Sequence, residues 1–457
     1  MTRPAQEKKK YASSPVHIIM LSFLCAILLG SFLLWLPVSA NPGVTVSYPD
    51  ALFTATTATC VTGLVTLPTF STWSAFGQIV ILLLIQIGGL GVVTCTAGVL
   101  LALQRKIGLG ERLLLQDAFN LNSLSGIPGF VKRVIRGTFL VEGAGALGYM
   151  TVFVPQFGLR GVWISVFTAI SAFCNAGLDL LSENSLADYA TNPVVNLVTC
   201  VLIVLGGIGF VVWWDVIRML QKKRNTRARF FAGLSLASKL ALSSTAVLIF
   251  GGAILFFAFE YNNPATFGGF SLYEKIQAAF FQSVTTRTAG FASVPQQELT
   301  NPSVVVALLL MFIGGSPVGT AGGVKTVTGL VLAATAIASI KNRNGVSLFK
   351  RSIPAAAVRK AVAVVGMSFL IMSVSTVLLS TVMEAPFSDI LYETVSATAT
   401  VGLTRNLTAS LPLLGKFIII LTMYLGRVGP ISLAVAFQVR HESVNIVKNP
   451  EENVSVG

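Results

Sequence analysis

Four glycines stand in one frame along this chain. They are Gly63 in TCVTGL, Gly177 in FCNAGL, Gly290 in TRTAGF and Gly402 in TATVGL, separated by 114, 113 and 112 residues. An aromatic ring stands ten residues before each (Phe53, Phe167, Phe280, Tyr392), and Leu, Leu, Phe or Leu follows directly. A single glycine in an apolar stretch is ordinarily a helix-packing residue. Four in register make a repeat, and units of about 113 residues divide the chain into 1–110, 111–230, 231–350 and 351–457.

What surrounds the glycines is membrane-like. The 457 residues are 54% hydrophobic and only 11% charged, with a mean hydropathy of +0.78, far from the soluble norm. The net charge of +14 does not indicate nucleic acid, because the cations sit in gaps between apolar runs and not on a soluble basic face. The five cysteines lie inside apolar segments without CxxC pairing, and the two histidines, His17 and His441, are far apart. Neither a disulfide framework nor a metal centre follows, and no cluster with catalytic spacing supports a membrane enzyme.

Each repeat reads as a long apolar outer helix, a shorter pore segment ending at the framed glycine, and an apolar inner helix. These run Val16 to Leu36, Asp50 to Leu64 and Trp73 to Leu103; Gly137 to Val154, Trp163 to Leu178 and Val194 to Met219; Leu236 to Phe259, Leu272 to Phe291 and Pro302 to Ile340; Ala357 to Met383, Ser388 to Leu403 and Leu414 to Val439. Lys8 to Lys10, the first apolar run and Val38-Ser39-Ala40 also fit a secretory signal. That run is longer than a signal core of about 7–15 residues, and the repeat needs a helix there.

About ten helical residues before each glycine span roughly 15 Å, half of the hydrocarbon core of about 30 Å. The pore segments must therefore enter and leave on the same side. Such backbone is tolerated only where protein buries it or it lines a cavity. The expected fold is all-α, with eight transmembrane helices and four re-entrant pore loops around a pseudo-fourfold centre. Lys and Arg concentrate in one set of connections, including Arg105, Lys106, Lys132, Arg133, Lys222 to Arg224, Lys350 and Arg351. This places that face and both termini in the cytoplasm. The opposite connections carry acids such as Asp50, Asp179, Glu260 and Asp389, which would either concentrate cations at a mouth or serve as ordinary solvated charges.

Pore helices ending at the glycines point the negative ends of their dipoles at one spot. The backbone that follows can offer carbonyl oxygens in place of a cation's hydration shell. The candidate filter is Val61, Thr62 and Gly63; Asn175, Ala176 and Gly177; Thr288, Ala289 and Gly290; Thr400, Val401 and Gly402. None is acidic, so a carboxylate ring is not the device. Arg287 would defeat a cation filter if it pointed inward. The expectation is that it turns outward and pairs with Glu393, both serving as filter support.

The inner helices carry glycines at Gly88-Gly89, Gly206-Gly207, Gly314-Gly315 and Gly426, adequately read as packing sites in three repeats. In the third, GGSPVGTAGG places five glycines and a proline between Gly314 and Gly323. Such a run breaks a helix and reads as an intramembrane loop beneath the filter. Gly314, Gly315, Ser316, Pro317, Gly319, Thr320, Gly322, Gly323 and Lys325 are the loop's candidate gate residues. Arg427, a charge at matching depth in the fourth inner helix, joins them as a cation held by loop carbonyls.

These features together resemble the superfamily of potassium transporters that includes Trk, Ktr and the plant HKT proteins, with the Ktr membrane subunits nearest, over about residues 15 to 440. The resemblance implies potassium uptake across the plasma membrane, no enzymatic activity, and no cofactor in this chain. It also implies a homodimer with one pore per subunit and a cytosolic KtrA-type ring that binds nucleotide and controls the loop. Sodium activation belongs to the family pattern without a motif to place it. In some HKT members serine replaces the first filter glycine and sodium is favoured; Gly63 implies potassium. The tail after Val439 is implied in the dimer contact. The alternatives are a sodium-conducting protein of the same fold and an ion-coupled carrier, for which Glu142 is the main coupling candidate.

Overall fold

The structure, a computed structural model, describes residues 15–102, 108, 112, 115, 126–182, 184–221, 227–343 and 345–429. The N-terminal basic run, Arg105, Lys106, Lys222 to Arg224 and the tail after Val439 lie outside them, so the expectations resting on those residues do too.

One pattern recurs four times: a long helix, a short helix that stops just before a framed glycine, an extended stretch, and a third helix. The first set is α1 (Pro15–Trp35), α2 (Tyr48–Cys60) and α3 (Ala75–Leu90), continued by α4 (Val92–Ala102). The second is α5 (Ile127–Phe157), α6 (Leu159–Cys174) and α7 (Pro193–Gly207), continued by α8 (Phe210–Gln221). The third is α9 (Leu236–Glu260), α10 (Leu272–Thr285), α11 (Asn301–Phe312) and α12 (Thr326–Ile340). A hairpin of β1 (Val346–Leu348) and β2 (Arg351–Ile353) leads to α13 (Ala355–Val382), α14 (Phe387–Ala399) and α15 (Leu413–Val428).

Among the described residues α1, α5, α9 and α13 are long and apolar enough to cross a membrane. The pair α7 and α8 has that composition together but is bent by 98°. The short helices of 13, 16, 14 and 13 residues are about 20–24 Å long. That is more than the sequence suggests and still less than a bilayer core. Local chemistry starts them: Ser47 caps α2 through the Asp50 amide, and Ser271 with Glu274 forms a reciprocal capping box on α10.

Several boundaries differ from expectation. Helix α5 starts at Ile127, ten residues before Gly137, because Lys132, Arg133 and Arg136 interrupt the apolar pattern while standing on its exposed face. The guanidinium of Arg133 lies 5.4 Å from the Trp214 ring of α8. The inner helices of the first two repeats, expected to be continuous, break at Gly91 and Gly209, whose φ angles are +85° and +95°. Helix α15 is described to Val428, with Gly429 at φ +93°, and its expected continuation to Val439 lies outside the described residues. Such angles are open to glycine and costly for other residues, and the apolar character of a run carries no sign of them.

The core is continuous from the first repeat into the third, through Ile85, Phe173 and Val284, with neighbouring clusters closing the third against the fourth and the fourth against the first. Inner-helix glycines permit the closest approaches. The space a side chain would need at Gly88, Gly206 and Gly426 is taken by the carbonyls of Thr59, Phe173 and Thr398, near the ends of the short helices. Small residues at helix contacts are how membrane bundles bring backbones together.

Candidate functional site

Three short helices end directly in a left-handed residue, and in the third repeat α10 ends at Thr285, three residues before one. Val61, Asn175, Thr288 and Thr400 take left-handed angles, φ +55°, +60°, +63° and +51°, and each framed glycine two residues later again has positive φ. Left-handed backbone costs a non-glycine residue about 1–2 kcal/mol, so the strands must be held. Backbone amides of Thr62, Ala176 and Val401 donate to the carbonyls of Thr57, Ser171 and Ser396, each at 2.8 Å, and Ala289 donates to Thr285 at 3.0 Å.

Hydroxyls complete the hold. Thr57 Oγ1 accepts from Gly63 N at 2.9 Å, Ser171 Oγ from Leu178 N at 3.0 Å, and Ser396 Oγ from Gly402 N at 3.0 Å. In the third repeat Thr285 Oγ1 instead donates to the Phe291 carbonyl at 2.6 Å. Sequence reasoning does not single out these four residues. A hydroxyl residue six positions before three of the glycines, and five before Gly290, is the signal that could have found them.

The four strands close into a ring. A methyl group added to Gly63 would fall 2.5 Å from Ala176 O, one on Gly177 2.6 Å from Ala289 O, and one on Gly290 2.7 Å from Val401 O. One on Gly402 would collide with Thr62 O, returning to the first repeat. Each glycine thus faces the carbonyl just before the next repeat's glycine, in the order one to four and back. No acidic side chain stands among these twelve residues.

Beneath the ring lies the nonhelical stretch between α11 and α12. Ser316 N and Thr320 N donate to the carbonyls of Gly207 and Gly206, at 2.8 and 3.1 Å, and Phe210 N donates to Val318 O at 3.1 Å. The broken inner helix of the second repeat is therefore the loop's seat. Gly315 and Gly319 lie against the backbone of Gly206 and Gly207. Gly314 N pairs with Val324 O at 2.9 Å, while Gly323 has a φ of +64°. Pro317 precedes the left-handed Val318 at the turn of the loop.

Three cations bond carbonyls of the loop, and two of them grip its middle. Arg427 on α15 donates to Thr320 O at 2.7 Å and to Gly88 O at 2.5 Å, bridging the loop to α3. Lys325 Nζ donates to Ala321 O at 2.6 Å.

Arg287 does not pair with Glu393. Its guanidinium donates to Gly314 O at 3.1 Å and Thr245 O at 3.5 Å. Arg287 follows the C-terminus of α10, where helix carbonyls favour a cation, so carbonyls serve in place of a carboxylate. Glu393 turns into its own repeat and accepts from the hydroxyls of Thr404, at 2.7 Å, and Thr408. It braces the strand after Gly402.

The end of the bundle opposite the loop is clipped between repeats. Lys416 binds Asp50 at 2.5 Å, joining the fourth repeat to the first. Arg405 binds Asp389 at 2.7 Å and the carbonyls of Gln296 and Gln297, each at 3.0 Å. Trp163 Nε1 donates to Gln78 Oε1 at 2.8 Å, and Leu186 N to Ala292 O at 3.0 Å. Asp50 and Asp389 are thus paired structural charges. Burial alone would raise the Asp50 carboxyl, but the Lys416 ammonium and the Ser47 and Thr66 hydroxyls hold it below its ordinary 3.8. Glu142 on α5 is buried and accepts from Gln86 Nε2 at 3.1 and 3.3 Å, next to Cys174, with no hydrogen bond to the loop.

The chain matches the model of the TrkH family, described as cation transport protein, over residues 2–449. It is 40% identical to the Ktr system potassium uptake protein B of Bacillus subtilis, covering 97% of each chain. It is 38% identical to the potassium/sodium uptake protein NtpJ of Enterococcus hirae, again over 97% of each. The potassium transporter TrkH of Vibrio parahaemolyticus has a similar fold, with a TM-score of 0.73 at 16% identity over 95% of this chain and 87% of that one. This chain is an integral membrane transporter, not an enzyme, and belongs to the TrkH family of cation transport proteins.

Proposed function

We propose that the protein conducts potassium into the cell through the ring of Gly63, Gly177, Gly290 and Gly402, and that the loop from Gly314 to Gly323 is its gate. The supporting observation is the closed sequence of glycine-to-carbonyl contacts around the four repeats. Oxygen-lined backbone at the ends of four converging helices suits a dehydrated monovalent cation. Inward movement needs no coupling ion, because the membrane potential supplies about 2.3 kcal/mol per charge per 100 mV.

In this reading eight helices span the plasma membrane, counting the broken inner helices as spans, and four re-entrant loops dip from outside. The four repeats keep the boundaries 1–110, 111–230, 231–350 and 351–457. The basic face and both termini lie in the cytoplasm, where a nucleotide-binding KtrA-type ring docks on a homodimer and moves the loop. The Ktr names of several relatives support a multi-subunit system.

A second reading, sodium conduction by the same ring, is favoured by the name of the Enterococcus relative, which includes both ions. Uptake of potassium and sodium by cells lacking their own potassium systems, with and without a KtrA-type subunit, tests the proposal. Growth at low potassium that increases with the partner supports it. Uptake of sodium alone, or uptake at a fixed ratio to a second ion, overturns it.

A further inference from the structure

The left-handed residues at the base of the ring are not equivalent: one is Val61, while the others, Asn175, Thr288 and Thr400, carry side-chain oxygens. All three polar residues are buried, Asn175 at 1% exposure and both threonines at 0%. They belong to three different repeats, yet they meet one short piece of the loop. The single hydroxyl proton of Thr320 is shared between Asn175 Oδ1, 2.8 Å from Oγ1, and Phe173 O, 3.0 Å from it. Gly322 N donates to Thr288 Oγ1 at 3.1 Å. Gly322 also lies flush against Thr400 Oγ1, which has no hydrogen-bond partner among the described residues.

The chemistry of these contacts is one-sided. The loop presents the positive ends of its dipoles, one O–H and one N–H, to filter-side oxygens. Oxygens that accept from donors in this way are the same groups that would coordinate a cation. Two of the cations that hold the loop, Arg427 and Lys325, lie directly behind this piece of it on Thr320 O and Ala321 O.

We propose that the side-chain oxygens of Asn175, Thr288 and Thr400 form an inner binding site for a partly hydrated monovalent cation, and that the loop closes the pore by occupying it with its own donors. Ion and loop then compete for one set of oxygens. When the loop withdraws, the freed oxygens receive the ion leaving the glycine ring. Val61, buried and apolar, supplies no oxygen on the fourth side. This inference rests on the ring being the conduction path.

The test uses full-length protein and compares loop-side with filter-side variants, reading KM and maximal rate of potassium uptake. Thr320→Ala removes a competing donor and leaves two of the site's oxygens untouched and the third, Asn175 Oδ1, free. Its KM is expected to fall while the rate rises. Thr288→Val removes both a loop acceptor and an ion ligand, so the rate is expected to rise while KM rises about threefold or more, as for one lost hydrogen-bonding group. Thr400→Val carries the argument most cleanly, because its hydroxyl holds no bond to the loop. A rise in its KM is expected, with Thr400→Ser restoring the native value and serving as the variant that retains the fold. If Thr400→Val leaves KM unchanged, or Thr320→Ala and Thr288→Val move KM in the same direction, these side chains are latches only and the proposal fails. Failure of the ring itself reads differently: Gly63→Ser would then leave the potassium-to-sodium ratio at its native value.

Discussion

Arg427 Nη1 lies 2.7 Å from the carbonyl oxygen of Thr320, so a charge on the last described helix closes a bond with the middle of the third repeat's loop. Its other arm reaches Gly88 O. One guanidinium therefore fastens the loop to the opposite side of the bundle. Hydrogen bonds to charged groups contribute about 1.5–3 kcal/mol each. Arg427→Ala is expected to raise potassium uptake without a cytosolic partner by about tenfold or more. Arg427→Lys should fall between, since one ammonium lacks the planar fork that spans both carbonyls. Lower uptake by folded Arg427→Ala protein would assign the residue to structure alone.

The ring leaves no room for side chains on its glycines. Gly63→Ser places an extra group against Ala176 O and Gly177, and the potassium-to-sodium uptake ratio is expected to drop. Gly402→Ala meets Thr62 O and should reduce uptake of both ions to near background. Isotope uptake at matched membrane expression measures both, and native selectivity in Gly63→Ser would contradict the ring.

The hydroxyls behind the strands should matter for selectivity without contacting the ion. Thr57→Val and Ser396→Ala each remove the acceptor for the amide of a ring glycine, a loss of about 1 kcal/mol per bond. A lower potassium-to-sodium ratio with nearly normal expression is expected. Equal loss of both fluxes would point instead to general misfolding.

The clip between Asp50 and Lys416 has a defined pH response. Because the folded Asp50 carboxyl titrates below its ordinary 3.8, its contribution to stability is fully present above about pH 4. It is lost as pH falls through the lowered value. Thermal unfolding in detergent between pH 7 and pH 3 should show this loss at the acid end. In Asp50→Asn that component of the pH dependence should be missing, and an unchanged acid limb would show that the pair contributes nothing.

Much of the fold is legible in the sequence because repetition removes the ambiguity of any one segment: Gly402 alone is a packing glycine, while Gly402 in the frame of Gly63 is a strand of the ring. The loop is legible for a different reason, since five glycines and a proline cannot continue a helix. The helix breaks at Gly91 and Gly209 are not, because a glycine's φ is not written in its neighbours' polarity and each sits in an apolar run. The expected pairing of Arg287 fails because a buried cation does not need a carboxylate. The carbonyls of Thr245, within α9, and of Gly314, in the loop, do the same work, and Glu393 is already engaged by two threonines. The role of Thr57, Ser171, Thr285 and Ser396 is hidden because hydroxyls in membrane helices commonly bond their own backbone.

Thallium, a heavy stand-in for potassium, offers the most direct measurement of the central claim. An anomalous-scattering map of thallium-soaked crystals should show a peak on the axis enclosed by Gly63, Gly177, Gly290 and Gly402, and that peak should fade when sodium replaces thallium. Thallium bound instead beside Glu142, with none in the glycine ring, would contradict the filter and favour the ion-coupled carrier.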